Sequence, residues 1–537
     1  MPEHGLECKR RFEKAQRLRQ NWTWLWQQVA NLVLTSRQFT SSQVSGAKRN
    51  LQIHNDTAPL AAASLAAAMH GLQANEATRW YSLITEDFDQ RIDVEVRKFL
   101  YNATSHGLSY LASPMSGFPT AISECYLDLV VFGTGIMSGT PDKENILRFN
   151  ARQLANFFMC EDPNGVINET FRRYELTSRE ISKEFDKPDD DIPDEIKDHI
   201  RDGKNLDKKW TIIHEVSRRL KRNVTSAMPR NMPWMSIYIL EKTGHLIRES
   251  GFRRNPYITP RWSKSPEEVF GRSPAIMMLP SIKMINQMSK TVITAAQIAV
   301  HPPMLVPANG MQGPVRLAPG SMTYTRTGTS QKPEPLITNV DPRIGQEMID
   351  AVALQIERAF FLDALKLPEL DRMTAEEVIT RRQQGLLTAS PVISRLNAEL
   401  LSPIVLRTFH WQRTTRRLGP VPDGLSRARL KIDFRSPMAQ SQKASEGGAV
   451  LTAIQSMTPI LAVDPTSFGV VNADKVNRFL WESANAPPDL LNTEEEVAAR
   501  RQQESEQQQL EQQVALAGGA AAAAKDAAAA GKDVAGR

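Results

Sequence analysis

The chain has 537 residues, 41% of them hydrophobic, and a formal net charge of +6 from 66 basic and 60 acidic side chains. Such a length can hold roughly two to four core-bearing segments, and so mild a basic excess does not by itself indicate a nucleic-acid-binding protein. No run of about 18 apolar residues predicts a membrane span, and three cysteines without a CxxC pair favour a reducing compartment over a disulfide framework.

The N-terminal part of the chain predicts helices. Residues 9–35 have an apolar stripe at helical spacing that includes Trp22 and Trp26. A stripe of this kind packs on a core or a neighbouring subunit more often than it stacks on a ligand. Further helices are predicted at 57–74, 87–105 and 119–138.

The next part of the chain predicts strands. Strand-like pieces fill 145–177 around a Pro-Asn-Gly turn at 163–165. Acidic and basic residues alternate over 178–208, and the piece "KPDDDIPDE" at 187–195 is predicted to be a surface loop. Strand patterns return at 210–217 and 235–248.

A long helix is then predicted at 272–300. Ser273 is a suitable N-cap, and Pro274 fits the first turn. Pro280 should kink or restart the helix, because its ring excludes one helical hydrogen bond.

The stretch 301–335 is rich in Pro, Gly and Thr and has few large apolar residues. A loop of this length without its own core is usually functional or disordered. Helix resumes after Asp341 and Pro342, a good cap and first residue. Its apolar row is spaced by four residues and consists of Ile344, Met348, Val352, Ile356 and Phe360.

The remaining elements are shorter. Helices are predicted at 374–384, 391–417, 438–462 and 473–485, with a strand at 427–434. The segment from 494 is rich in Glu, Gln and Ala and is predicted to be flexible.

No sequence motif indicates catalysis. The chain contains no GxxxxGK[ST] phosphate loop, no HExxH zinc motif and no GxSxG nucleophile motif. We therefore assign no catalytic, cofactor-binding or metal-binding residue and predict no cofactor. Distant residues can still assemble an active site, so an enzyme remains an alternative at this stage.

Two charge patterns are notable. Residues 407–435 carry eight basic and two acidic side chains and could face phosphates, although pairing within the chain or between subunits explains them equally well. Glu347, Asp350 and Glu357 share one helix face. That face is either simply solvated or functional.

Four stretches together resemble the portal proteins, or head-to-tail connectors, of short-tailed bacteriophages. They occur in the family's order: "NDTAPLAAASLAAAMHGLQANEATRWYSL" at 55–83, "LDLVVFGTGIM" at 127–137, "EEVFGRSPAIMMLPSIKMINQM" at 267–288 and "KIDFRSPMAQSQK" at 431–443.

The resemblance implies an α+β, mainly helical portal fold that assembles as a ring. Its expected parts are a wing (1–270), a stem helix (271–300), a clip (301–340), a second stem helix (341–362), a tunnel loop with a short helix (363–384), a wing return helix and strand (385–437), a crown (438–493) and the tail (494–537).

The implied function is a channel at one capsid vertex for packaging and ejecting double-stranded DNA. The expected partners are other copies of this chain, twelve in the ring, then terminase, scaffold and major capsid protein, and tail adaptor proteins. No membrane partner is expected. The protein should reside in the virion after assembly in the host cytoplasm. The alternative is a phage DNA-processing enzyme, such as a metal-dependent nuclease.

A wall past which DNA must slide should not hold phosphates. We therefore expect Glu347, Asp350 and Glu357 to face the channel and the apolar row to pack on the 281–300 helix and neighbouring subunits. Lys366 is a candidate for a local cation near a constriction. Candidate clip residues are Arg316, Tyr324 and Arg326.

Overall fold

The structure is a computed structural model. It describes residues 2–40, 53–85, 94–300 apart from 143, 189, 204, 224 and 227, then 303–305, 334–335, 342–362, 389–422, 425, 430–434, 447–457, 472–483, 497, 499–503 and 505–507. Lys366, Arg316, Tyr324, Arg326 and the helix predicted at 374–384 lie outside these residues.

The described residues combine helices and antiparallel strands and are mainly helical. The helices are α1 (Pro2–Leu32), α2 (Thr57–Gln73), α3 (Val94–Ala112), α4 (Phe118–Phe132), α5 (Ser178–Glu184), α6 (Asp194–Asp202), α7 (Pro274–Met277), α8 (Leu279–Val300), α9 (Pro342–Ala359), α10 (Ser402–Thr414) and α11 (Ala473–Ser483). Residues 389–396 and 447–457 are also helical. None of the helices among the described residues is long and apolar enough to cross a membrane.

The strands are β1 (Tyr81–Thr85), β2 (Met137–Pro141), β3 (Leu147–Ala151), β4 (Phe157–Glu161), β5 (Ile167–Thr177), β6 (Lys209–Arg218), β7 (Trp234–Leu240), β8 (Leu246–Phe252), β9 (Tyr257–Ile258), β10 (Met304–Leu305), β11 (Glu334–Pro335) and β12 (Leu430–Phe434). Contacts divide the chain into two units. The first unit is 1–80 with 106–417, and the second is 81–105 with 418–537.

The first unit is organised around an antiparallel sheet in the order β4-β5-β6-β7-β8. Helix α1 covers one face, where Cys8, Phe12 and Ala15 pack on Phe158 and Phe171. Strand β6 is buried on both faces over most of its length, so other residues must also pack on the face of the sheet opposite α1.

The residues that cover this opposite face come from the charged segment between β5 and β6. Residues 178–208 contain α5 and α6, which place Ile181 and Ile196 against Trp210 and Ile212 of β6. Thr177 and Glu180 form a reciprocal capping box at the start of α5. The loop predicted at 187–195 is confirmed for the described residues between α5 and α6. The two helices themselves were not predicted, because their few apolar residues are far outnumbered by charged ones on the outer face.

Other local predictions were close. The Pro-Asn-Gly turn joins β4 to β5, with Gly165 at φ +78°. The helix predicted at 119–138 ends earlier, at Phe132. Gly133 adopts φ +77°, and a Cβ atom there would lie 2.3 Å from the carbonyl oxygen of Gly271. Only glycine fits both the left-handed backbone and this close approach.

An aromatic cluster joins α1 to the rest of the first unit. Trp26 is fully buried and donates its indole N–H to the Phe132 carbonyl oxygen at 3.1 Å. Its ring meets Phe270 edge-on at 5.0 Å and lies 5.4 Å from Phe39. Trp22 is only half-buried, 5.8 Å from Trp26. The predicted burial is thus confirmed for Trp26 and only partly for Trp22.

The second unit contains β1 and β12, which pair antiparallel from Tyr81↔Phe434 to Thr85↔Leu430. Thr104 of α3 accepts a hydrogen bond from the Leu83 backbone N–H at 3.1 Å. The strand predicted at 427–434 is confirmed for 430–434. Its partner β1 was not predicted, because 81–85 is short and follows an aromatic helix end.

A buried carboxylate makes the stability of the first unit depend on pH. Asp128 of α4 accepts hydrogen bonds from Arg37 at 3.1 and 3.4 Å. Burial nevertheless raises the pKa of Asp128 from 3.8 to about 6. The folded protein therefore holds this proton more tightly than the unfolded chain. The resulting stabilisation is full below the unfolded pKa and is lost as pH rises through 6.

We expect wild type to gain about 1–2 kcal/mol of unfolding free energy relative to Asp128→Asn when pH falls from about 7.5 to about 5. Denaturant titrations at fixed protein concentration measure this difference. Asp142→Asn is the control, since hydrogen bonds from the Ile146 backbone and Arg148 lower the pKa of the half-buried Asp142 below its usual value. Its difference from wild type should stay nearly constant between about pH 7.5 and about pH 5, because a lowered pKa affects stability only at more acidic pH. Parallel pH profiles for wild type and Asp128→Asn would contradict the prediction.

Candidate functional site

Helices α7, α8 and α9 carry the residues predicted to form the stem. Ser273 caps α7, because its hydroxyl accepts from the Ile276 N–H at 3.0 Å and donates to the Val131 carbonyl oxygen at 2.8 Å. The helix breaks at Met278 and restarts at Leu279 with Pro280 in its first turn. The predicted cap and restart are both confirmed.

The first half of α8 is anchored in the first unit. Ile282, Ile285 and Ser289 are buried. The chain before α2 also ties to it, as the His54 N–H donates to Asn286 at 2.7 Å and Asn55 donates to Ser289 at 3.3 Å. The anchored half therefore holds the start of the helix in a defined place.

The second half of α8 is open to solvent. From residue 290 onward every residue is exposed or half-buried, including Ile293, Ile298 and Val300. Several neighbouring apolar side chains on one exposed helix are typical of a surface that meets another protein.

Helix α9 packs on α8 and α2 through its buried face. That face holds Ile349, Val352, Ile356 and Phe360. The predicted row was wrong at Met348, which is 56% exposed, because residues four apart drift by about 40° per step around a helix. Ile349, three residues before Val352, is buried instead.

A glycine allows the close approach of α8 and α9. A Cβ atom at Gly345 would lie 2.8 Å from Cγ2 of Val292. Contacts this short do not occur in relaxed structures, so a larger residue must push the helices apart.

We expect Gly345→Val to lower the unfolding free energy by about 1–3 kcal/mol through overpacking. Val292→Ala in the same chain should restore part of the loss. Gly71→Ala in α2 is the control, because nothing lies within 4 Å of its Cβ position, and there a gain of up to about 1 kcal/mol is expected. Thermal unfolding measures all four chains. Equal destabilisation with and without Val292→Ala would show that this contact does not set the helix spacing.

The acidic face of α9 lies opposite the buried one. Glu347 and Asp350 are exposed, and Glu357 is half-buried. Gln346 donates to Asp350 at 3.0 Å. Successive residues turn by about 100°, so Arg358 and Arg343 lie only about 20° and about 40° from Glu347. The outward face therefore carries cations as well as acids.

The segment between α8 and α9 has a short ladder that joins its two ends. Strands β10 and β11 pair Met304 with Pro335 and Leu305 with Glu334. This pairing brings together the two ends of the stretch that sequence marked as lacking a core.

The basic run at 407–435 is partly structural. Arg407 is largely buried and donates to the carbonyl oxygens of Gly139 and Asn255, and burial lowers its pKa to about 10. Arg417 lies 4.6 Å above the Trp411 ring. Intrachain contacts therefore explain these two members of the run.

Sequence reasoning missed a buried ionic network. Arg261 is 3% exposed and donates to Glu161 at 2.6 Å and to Glu399 at 2.8 Å. Lys264 also contacts Glu161. Glu399 lies in a π-helical turn, Asn397–Leu401. The π-turn is the only feature that singles out Glu399, because such turns often occur at functional positions. No sequence pattern predicts the contact between Arg261 and Glu399, which lie 138 residues apart.

The described residues bring together an anchored helix pair with exposed apolar and acidic faces, which is typical of a subunit in a larger assembly. Residues 6–491 match the family described as bacteriophage head to tail connecting protein. The chain belongs to this family.

Its relatives carry portal names. The chain is 25% identical over 467 residues to the "Probable portal protein" of Bordetella phage BPP-1, covering 85% of this chain and 83% of that protein. It is 26% identical over 422 residues to the "Portal protein" of Salmonella phage epsilon15, covering 76% and 74%.

Among solved structures, a chain of the virion of a native gene transfer agent particle aligns with a TM-score of 0.35 and 12% identity, covering 81% of this chain and 91% of that one. The alternative of a metal-dependent nuclease gains no support. The family and both relatives are connectors or portals, and within the described residues no three His, Cys, Asp or Glu side chains group around a metal-sized space.

Proposed function

We propose that this chain is the portal subunit of a bacteriophage virion. Twelve copies form a ring at one capsid vertex, and double-stranded DNA enters and leaves through its channel. The ring nucleates the head with scaffold and major capsid protein, docks terminase during packaging and later binds tail adaptor proteins. The single observation that carries the proposal is the connector family match across residues 6–491.

Within the ring, we assign the stem to 271–300 with 341–362 and the clip to 301–340. The exposed apolar half of α8 supports this assignment, since a stem helix in a ring has neighbours on both sides. The wing, crown and tail keep the boundaries expected from sequence.

Negative-stain images of the purified chain test the proposal. We expect closed rings with a central channel and a mass of twelve subunits. A chain that remains monomeric or forms only open filaments would overturn it. Gly345→Val, which disturbs the α8–α9 contact, should lower ring yield, whereas Gly71→Ala should not.

We infer that the acidic face of α9 lines the channel. Each phosphate that a wall residue binds adds affinity through counterion release, so a wall that passes DNA works best without a continuous row of cations. Glu347 and Asp350 suit such a wall because both are exposed acids on one face. Lys366 remains the candidate for a local cation past the helix.

Glu347→Lys with Asp350→Lys should leave ring assembly intact and slow DNA packaging several-fold at low salt, less so at high salt. The matched control is Glu195→Lys with Asp198→Lys, an exposed Glu and Asp with the same spacing on α6. Packaging by purified rings and motor measures the rate. A normal, salt-independent rate for the α9 variant would show that this face does not line the channel.

A further inference from the structure

One end of the five-stranded sheet collects basic side chains. Arg218 ends β6 and pairs with Trp234, which in turn pairs with Phe252 at the end of β8. The β6–β7 connection at 219–233 and the exit of β8 at 253–255 therefore lie at the same end. The exposed cations there are Arg218, Lys221, Arg222, Arg230, Arg253 and Arg254.

The connection folds back onto the sheet. A Cβ atom at Gly251 of β8 would lie 2.4 Å from the carbonyl oxygen of Pro229. Arg230 is thus held beside the end of β8, close to where Arg253 follows.

Helix α10 extends this surface. Arg407 of α10 donates to the carbonyl oxygen of Asn255, so Arg253 and Arg254 lie close to this helix, which also carries Arg413. We call the group the basic sheet end and define it as Arg218, Lys221, Arg222, Arg230, Arg253, Arg254 and Arg413.

Several acidic side chains near this end bind groups other than these seven cations. Glu249 pairs with Arg219 at 3.0 Å, Glu161 with Arg261 and Lys264, and Glu169 with Arg11 at 3.9 Å. Asp162 accepts two backbone N–H groups of its own turn. None of the seven cations forms an ion pair with another residue of the described part of the chain. The positive charges of this group are therefore available to an external anion.

We propose that the basic sheet end binds the phosphate backbone of double-stranded DNA, on a surface separate from the α8–α9 helix pair. Six of its seven members are arginines, whose planar guanidinium groups bind phosphate with two hydrogen bonds each. A polyphosphate matches a surface rich in unpaired cations better than a protein segment of mixed charge does. This inference rests on the proposed function only for the choice of DNA as partner.

Two exposed apolar residues lie on the same connection. Leu220 is 93% and Met228 68% exposed. Single apolar side chains are common on protein surfaces, so they do not outweigh seven cations. An acidic protein segment is the competing partner, and the experiment includes it.

The test uses assembled wild-type rings and closed circular DNA, which cannot thread a closed ring. The variant is R218Q/K221Q/R222Q/R230Q. The matched control is K197Q/R201Q/K208Q/K209Q. It removes the same charge near the opposite end of β6, where each cation already pairs with an acid.

We expect wild-type rings to bind circular DNA with an affinity that falls steeply with salt. In the variant the affinity near 0.1 M salt should drop at least about tenfold, and the slope of log K against log salt should shrink by up to about 4. The control should stay within about threefold of wild type, since charges beyond about 10 Å are screened.

Equal binding of circular DNA by wild type and variant would overturn the inference. Tighter binding of polyglutamate than of DNA at the same salt would also overturn it, in favour of an acidic protein partner. Either result leaves the ring and its packaging activity unaffected, so the proposed function is judged separately.

Discussion

Trp26→Ala should lower the unfolding free energy by about 3–5 kcal/mol, the range for truncating a large buried aromatic residue. Trp26 is fully buried and fills the space between α1, α4 and Phe270. Truncation removes its ring contacts and leaves the Phe132 carbonyl oxygen without the indole donor. Because α1 also covers the sheet, we expect its N-terminal part to loosen as well.

Trp24→Ala is the matched control two residues away. Trp24 is 63% exposed, and its loss should change stability by no more than about 0.5 kcal/mol. Denaturant titration at fixed protein concentration measures both variants. Similar values for the two would mean that α1 is not anchored through Trp26. The half-buried Trp22 should fall between them.

Arg261→Met should cost about 3–5 kcal/mol, as expected when one partner of a buried ionic network is removed. Glu399 would lose its bidentate donor, and Glu161 would keep only Lys264. The Gly165 and Val269 carbonyl oxygens would lose a donor too. These groups join the β4–β5 turn, the segment before α7 and the π-turn before α10, so the loss should spread over all three.

Arg148→Met is the comparison for an exposed ion pair. Arg148 pairs with Asp142 at 2.8 Å with 54% of its side chain exposed, and its loss should cost at most about 1 kcal/mol. A double-mutant cycle with Glu399→Gln measures the interaction energy between the two side chains separately from their other contacts. We expect a coupling of about 1–3 kcal/mol between positions 261 and 399. Additive effects would show that Arg261 acts through packing alone.

The two largest effects concern how α8 and α9 are held. Trp26 packs on Phe270, and Arg261 donates to the carbonyl oxygen of Val269. Both contacts lie in the segment that leads into Ser273 and α7. Mutations at either place should therefore reduce ring yield more than their distance from α8 and α9 suggests. The helix pair depends on the core from which it starts.

Local sequence was enough for much of this protein. The Ser273 cap, the restart at Leu279 and the Pro-Asn-Gly turn each depend on residues a few positions apart. Capping, proline geometry and positive φ are properties of short segments. The ordered stretches that resemble connectors were also sufficient for the family, which residues 6–491 confirm.

Burial, in contrast, depends on which distant segments meet. Strand β1 pairs with β12 about 350 residues later, and α5 and α6 became helices against the second face of the sheet although their sequence is mostly charged. Ile349, not Met348, faces inward because α8 and α2 set the buried side of α9. Arg261 reaches Glu399 only in the folded chain. The spacing of apolar residues predicts that a helix has an apolar face. Which residues of that face are buried depends on the segments that pack against the helix.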